Sequence, residues 1–275
     1  MSIRKVKDGI YSVGVKDPNL RKFDIVYDTP WGTTYNSYLI MAEKPVVVGT
    51  VKQGFHEEYL NNIKTLIDPS KIEYIVLDHS EPDHSWTVGK LLDIAPNAKV
   101  VATRAALNNL KEILNRDFQS ITAMDGNELD LGDRKLRFIS TPFLHWPDTM
   151  FSYDAHDKIL FTCDAFGSHY CPEGDRIFND EVGDITDAIW VYFNSIISPF
   201  KPKVIDAINK VRKLDLDFDM ICPGHGPILR DNPSANIALY EKWAKEPEYD
   251  SRKVSVYYAS AYGNTKKIAE SIACV

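Results

Sequence analysis

The residues Ile72–Leu77 (IEYIVL) form a nearly unbroken apolar run that ends directly on Asp78-His79-Ser80-Glu81-Pro82-Asp83-His84. Such a run reads as a β-strand buried on both faces, which requires a sheet covered by other layers. Its polar end then falls at a strand C-terminus, where α/β folds gather their ligand sites. In an extended loop His79, Glu81 and Asp83 share a side at period two, so one short segment can feed two metal ions. A single histidine or loop carboxylate would read as an ordinary hydrogen-bonded or solvated residue. Four candidate ligands within six residues do not.

Three further segments repeat the arrangement. Leu144-His145-Trp146-Pro147-Asp148 follows an expected strand at Lys135–Ser140, Cys163-Asp164 follows one at Lys158–Thr162, and Cys222-Pro223-Gly224-His225-Gly226 follows one at Phe218–Cys222. Each places a His or Asp just past a strand, so one edge of the fold supplies every candidate.

Along the first half, strands are expected at Gly9–Val15, Thr34–Ile40, Pro45–Val48, Ala98–Ala102 and Gln119–Ala123, and helices at Phe55–Ile67, Thr87–Ile94 and Arg104–Asn115. A further strand is expected at Met150–Tyr153, then helices at Asp184–Ile197, Lys203–Leu214 and Asn236–Ala244. Strands and helices in both halves imply two packed sheets with helices outside, an α/β sandwich. The charged segment Lys245–Arg252 breaks the pattern. It sets a first domain at 1–246, a linker at 247–252, and at 253–275 the beginning of a second domain: a strand at Lys253–Ala259, then Ser260-Ala261-Tyr262-Gly263-Asn264-Thr265 opening a helix. Hydroxyls, a glycine and helix N-terminal amides make a phosphate cradle there. One βα unit cannot bury a core alone, so the sequence reads as cut at the start of that domain.

The 275 residues are 44% hydrophobic and 26% charged, as in an ordinary globular protein. A net charge of −7 argues against nucleic-acid binding. No apolar run approaches the roughly 20 residues of a membrane span, and MSIRKVKDGIYSVGV has no signal-peptide pattern. Cys163, Cys171, Cys222 and Cys274 form no CxxC pair and read as reduced thiols of a cytoplasmic protein.

HSEPDH with His145, Asp164 and His225 is similar to the two-metal pattern of the metallo-β-lactamase superfamily, but Glu81 stands where its zinc hydrolases carry a second histidine. That H-x-E-x-D-H form resembles the flavodiiron proteins, or A-type flavoproteins. The intervals agree with that family: 61 residues from Asp83 to His145, 18 to Asp164 and 60 to His225. So do GTTYNSYLI, LHWPDTM, DAFG and the terminal SAYGNT. The resemblance covers essentially the whole chain. Gly49 and Cys163 depart from it, standing where Asp and Asn are common.

The resemblance implies a metallo-β-lactamase-like αββα sandwich followed by the first βα unit of a flavodoxin-like domain. It implies two irons: His79, Glu81 and His145 on one, Asp83, His84 and His225 on the other, and Asp164 bridging. In some members the histidine equivalent to His84 turns away from the metal, which leaves its ligation open. A histidine set mixed with three carboxylates independently suits iron better than zinc. The cysteines beside the site are expected to be small buried fillers. His169 matches a family position and is expected to lie behind the ligands, with His56 and His156 on the surface. Ser260, Tyr262, Gly263, Asn264 and Thr265 would contact FMN phosphate, with FMN weak or absent in these 275 residues because the loops gripping its ring are missing. The implied activity is reduction of O₂ to water, NO to N₂O, or both, fed by a rubredoxin-type donor in a head-to-tail homodimer or a dimer of dimers. A zinc hydrolase of the same fold and a non-catalytic gas or iron sensor are the competing readings, the first disfavoured by Glu81.

Overall fold

In the computed structural model of the chain, which describes residues 3–245 and 254–273, most strands assemble into two large sheets because their apolar residues alternate between two interiors. Within Val46–Val48, Val46 and Val48 join the core between the sheets while Val47 packs outward under helices. Val76 likewise points inward, and Ile75 and Leu77 outward. The second sheet repeats the rule: Ile159 and Phe161 face in, Leu160 faces out. Period-two placement with both faces apolar explains why these strands read as continuous hydrophobic runs.

The first sheet has seven strands in chain order: Arg4–Lys7, Ile10–Ser12, Tyr38–Ile40, Val46–Val48, Tyr74–Leu77, Lys99–Ala102 and Ser120–Thr122, the last four mutually parallel. The second has five: Glu128–Asp130, Lys135–Ser140, Met150–Asp154, Ile159–Cys163 and Met220–Pro223, antiparallel until a parallel final pair. Helices His56–Leu66, Val88–Ile94 and Arg104–Leu114 cover the first sheet. Thr186–Tyr192, Lys201–Lys213 and Ser234–Ala244 cover the second. Three apolar clusters thus separate four layers, the expected αββα sandwich.

Several elements differ from expectation. The strand expected over Thr34–Ile40 divides into Thr33–Tyr35 and Tyr38–Ile40, because Asn36 leaves the ladder and donates its N–H to Gly224 O at 2.8 Å. Gly9–Val15 divides correspondingly into Ile10–Ser12 and Val15–Asp17, each paired to one of those pieces. The helix expected to end at Ile197 continues from Tyr192 through a wide π turn at Phe193–Ile197 and a tight turn at Ser198–Phe200 into Lys201–Lys213.

By packing, the chain divides into two units, 1–244 and 245–275. In the second, Asn264–Ala273 is helical after Gly263, whose φ is 80°. The strand expected at 253–259 is not formed over residues 254–259. A strand exists through its ladder, and the described residues of this unit offer no neighbour. Lys253, the linker 247–252 and Cys274 lie outside the described residues.

Candidate metal centre

The strands ending at Leu77, Ser140, Cys163 and Pro223 terminate at one edge of the sandwich, and the seven expected ligands follow them. The two sheets are tied there by the Met150 N–H donating to Asp78 O at 2.9 Å. His79, Glu81, Asp83 and His84 come from the first sheet; His145, Asp164 and His225 come from the second. All are buried except His145, which is 13% exposed at its side chain. Their donor atoms converge into two groups: His79, Glu81, His145 and Asp164, and Asp83, His84 and His225.

Within the first group, Glu81 Oε2 lies 3.2 Å from His79 Nε2 and 3.0 Å from His145 Nε2. Within the second, Asp83 Oδ2 lies 3.0 Å from His225 Nε2, and Asp83 Oδ1 lies 3.6 Å from His84 Nε2. Asp164 joins them. Its Oδ2 is 3.4 Å from His79 Nε2 and 3.5 Å from His145 Nε2, while its Oδ1 is 3.0 Å from His84 Nε2 and 3.6 Å from His225 Nε2. One carboxylate therefore presents a separate oxygen to each group. His84 is turned inward, towards Asp83 and Asp164.

Electrostatics match a centre built for cations. Burial opposes a charged ring at His84, yet Asp83 and Asp164 hold its pKa above the ordinary value; His145 is raised against burial in the same way by Glu81 and Asp164. Burial opposes ionised carboxylates, but His84 and His225 bring Asp83 down to about 2, and His84 with His79 and His145 holds Asp164 well below the usual range. The carboxylates and the imidazoles facing them thus favour each other's charged forms, in a place where a cation would neutralise the carboxylates. Both oxygens of Asp83 and Oδ2 of Asp164 are buried without a hydrogen-bond donor, which leaves them free as ligands. Nitrogen and carboxylate donors without sulfur fit an iron pair. Cys163 also lies within reach of His84 and Asp164, and burial pushes its thiol, and that of Cys222, above the ordinary range.

Supporting contacts orient the rings. His79 Nδ1 lies 3.2 Å from both oxygens of Asp148, and the same carboxylate accepts the Ser80 N–H at 2.7 Å. His225 Nδ1 donates to Thr34 O at 2.6 Å. Both contacts leave Nε2 aimed at the centre. Asn36 Nδ2 pins the His225 loop by donating to Pro223 O and Gly226 O, each at 2.9 Å. That loop needs its glycines: a Cβ on Gly224 would stand 2.7 Å from His84 Cε1, and Gly226 has a φ of 81°. Tyr192 donates its hydroxyl to Asp164 Oδ1 at 3.1 Å. Cys163, Phe166 and Phe143, close to Asp164 and His145, have φ values of 47°, 66° and 68°, backbone strain gathered around the ligands. A cavity of about 220 Å³ opens outside the centre between Phe23, Asp24, Lys52, Glu81, Asp83 and Trp86.

Asp148, Tyr192 and the Thr34 carbonyl were not among the expected site residues. Asp148 was visible in LHWPDTM, three residues after His145. Tyr192 and a backbone carbonyl leave no local sequence signal. His169 lies behind His225 as expected; His156 is exposed, whereas His56 is half-buried at a helix start.

A four-layer sandwich with a two-group His/carboxylate centre at one edge defines the metallo-β-lactamase-like class, and residues 33–226 match the family model described as "ODP family beta lactamase". The chain is 42% identical to the Flavo-diiron protein FprA2 of Clostridium acetobutylicum, covering 98% of this chain and 68% of that protein. It is 37% identical to the anaerobic nitric oxide reductase flavorubredoxin of Salmonella arizonae, covering 98% and 56%. Among solved structures it is similar to rubredoxin oxygen:oxidoreductase from Desulfovibrio gigas, with a TM-score of 0.84, 31% identity and coverage of 88% and 61%. The chain belongs to the flavodiiron proteins. It spans about two thirds or less of the length of these relatives.

Proposed function

We propose that this chain is the di-iron part of a flavodiiron oxidoreductase that reduces O₂ to water, NO to N₂O, or both. The observation that carries this reading is the division of Asp164, one oxygen to each of two His/carboxylate groups. On this reading His79, Glu81 and His145 hold one iron, Asp83, His84 and His225 the other, and Asp164 spans them. Iron bound there supplies one-electron redox chemistry and open coordination positions for a diatomic molecule.

The chain's own residues do the remaining work. Asp148 and the Thr34 carbonyl fix the imidazoles, Tyr192 steadies Asp164, and Phe23 and Trp86 flank the cavity outside the centre. Reduction of O₂ to two waters consumes four electrons and four protons; reduction of two NO to N₂O and water consumes two of each. We assign electron supply to FMN and a rubredoxin-type donor, since relatives are named for rubredoxin and nitric oxide chemistry.

Residues 1–246 are read as the di-iron domain, 247–252 as linker and 253–275 as the beginning of a flavodoxin-like domain. Ser260, Tyr262, Gly263, Asn264 and Thr265 would meet FMN phosphate there, supported by the helix that opens at Asn264. A head-to-tail homodimer or dimer of dimers would bring one subunit's flavin to the other's irons. We place the protein in the cytoplasm; among the described residues no helix is long and apolar enough to cross a membrane.

The test is metal identity and stoichiometry on protein prepared with iron and zinc both available, by elemental analysis and anomalous scattering at both edges. Two irons per chain at these ligands is the expected result. Zinc in both positions, with hydrolysis of a test thioester, would replace this reading with the zinc hydrolase.

A further inference from the structure

His79 and His225 are each backed by a direct partner, the Asp148 carboxylate and the Thr34 carbonyl. His84 is not. Its Nε2 faces Asp164 and Asp83, and among the described residues its Nδ1 has no hydrogen-bond partner. That side of the ring lies against Gly224, where a Cβ would stand 3.2 Å from Nδ1. The second nitrogen of a ligand imidazole almost always meets a carboxylate, a carbonyl or a water.

Behind His84 the two sheets leave a cavity of about 20 Å³, lined by Gly49, Asp78, His84, Cys163, Cys222 and Gly224 among others. Neither glycine puts a side chain into it. That volume admits one water molecule, which stays buried where polar groups hold it. Asp78 is such a group. It is 4% exposed, and among the described residues its carboxyl receives a single hydrogen bond, from Ser152 Oγ to Oδ1 at 2.5 Å. A buried carboxyl with its second oxygen unpaired is costly, and so is an unpaired ring nitrogen.

Both groups line one cavity, and one water satisfies both. Water donates to the carboxyl oxygen and either accepts from Nδ1 or donates to it, so the arrangement holds for either tautomer of the ring. With Nε2 given to a metal, Nδ1 carries the proton and the water receives it. The thiols of Cys163 and Cys222 offer weaker contacts.

We infer that this cavity is a site for one ordered water that bridges His84 Nδ1 to the second oxygen of Asp78. Asp78 is thereby a positioning residue that keeps His84 turned towards the centre. The inference rests on the reading of Asp83, His84 and His225 as a metal group, whichever metal they hold.

A high-resolution crystal structure of the metal-loaded full chain should show a water within hydrogen-bond distance of both atoms. In chelator competition, Asp78→Ala should weaken metal at the Asp83–His84–His225 group about 10- to 100-fold, the usual effect of losing the partner behind a ligand. Asp78→Asn, which keeps an acceptor oxygen, should recover most of that loss. Ser152→Ala removes only the other contact of Asp78 and should leave metal affinity unchanged. A loss in Ser152→Ala equal to that in Asp78→Ala would mean that Asp78 acts through its strand, and overturns the inference. So does a cavity without water, which decides the question if Asp78→Ala does not fold. Zinc in place of iron overturns the di-iron reading alone, since the same comparison is then made on zinc.

Discussion

Asp148 holds His79 from the side away from the metal centre, with both carboxylate oxygens 3.2 Å from Nδ1 and both residues fully buried. Against the effect of burial, Asp148 and Glu81 keep the His79 pKa well above the ordinary histidine value. The Asp148 segment is itself anchored, since Thr103 donates its hydroxyl to Asp148 O at 2.9 Å while capping the helix Arg104–Leu114.

Asp148→Asn should therefore lower affinity at the His79–Glu81–His145 group about 10- to 100-fold, the usual effect of removing such a supporting carboxylate. Competition with a graded chelator series measures this, and far-ultraviolet circular dichroism should be unchanged.

Asp164→Ala should remove metal from both groups together, because each loses a ligand oxygen. Glu81→Ala should deplete mainly the first group. Elemental analysis of the two variants distinguishes a shared ligand from a private one: equal losses would contradict the division.

Gly224→Ala places a methyl 2.7 Å from His84 Cε1 and 3.2 Å from the Cys163 carbonyl carbon. Overpacking of this kind costs about 1–3 kcal/mol. The expected outcome is a lowered melting temperature together with weaker metal binding at the Asp83–His84–His225 group. Gly54→Ala tests the contrast for metal: nothing surrounds a Cβ there, so any cost comes from its φ of 93° and metal content should hold.

Glu181 gives a pH signature away from the centre. Burial works against its ionised form, but the Ile177 and Phe178 amides and Arg4 outweigh this and lower its pKa. A carboxyl lowered in the folded state adds stability above its unfolded pKa and loses it as pH falls through the folded value. Stability should thus decline as pH drops below about 4.3, and Glu181→Gln should flatten that decline in denaturant titrations across the acid range.

The sequence revealed the strands that feed the centre because burial on both faces forces continuous apolar residues, and the residues that converge there because few other roles place so many His and Asp just past such strands. What it concealed depends on groups that every residue shares. The Thr34 carbonyl that fixes His225 and the Asn36 amide that splits a strand are backbone atoms, so nothing in the residue types announces them. Tyr192 reaches Asp164 from 28 residues away, a proximity set by how the π turn and its helix pack. The strand expected at 253–259 had the right composition, but pairing is a property of two segments and composition of only one.

The seven candidate ligands are drawn from both sheets, four from the first and three from the second. On the di-iron reading, neither half of the sandwich would coordinate the pair alone, and metal uptake would report that the halves have docked. The binding free energy would then be credited to docking itself, and the centre would act as a latch between the sheets. A nascent chain with only one sheet in place would lack the full ligand set and would hold metal poorly.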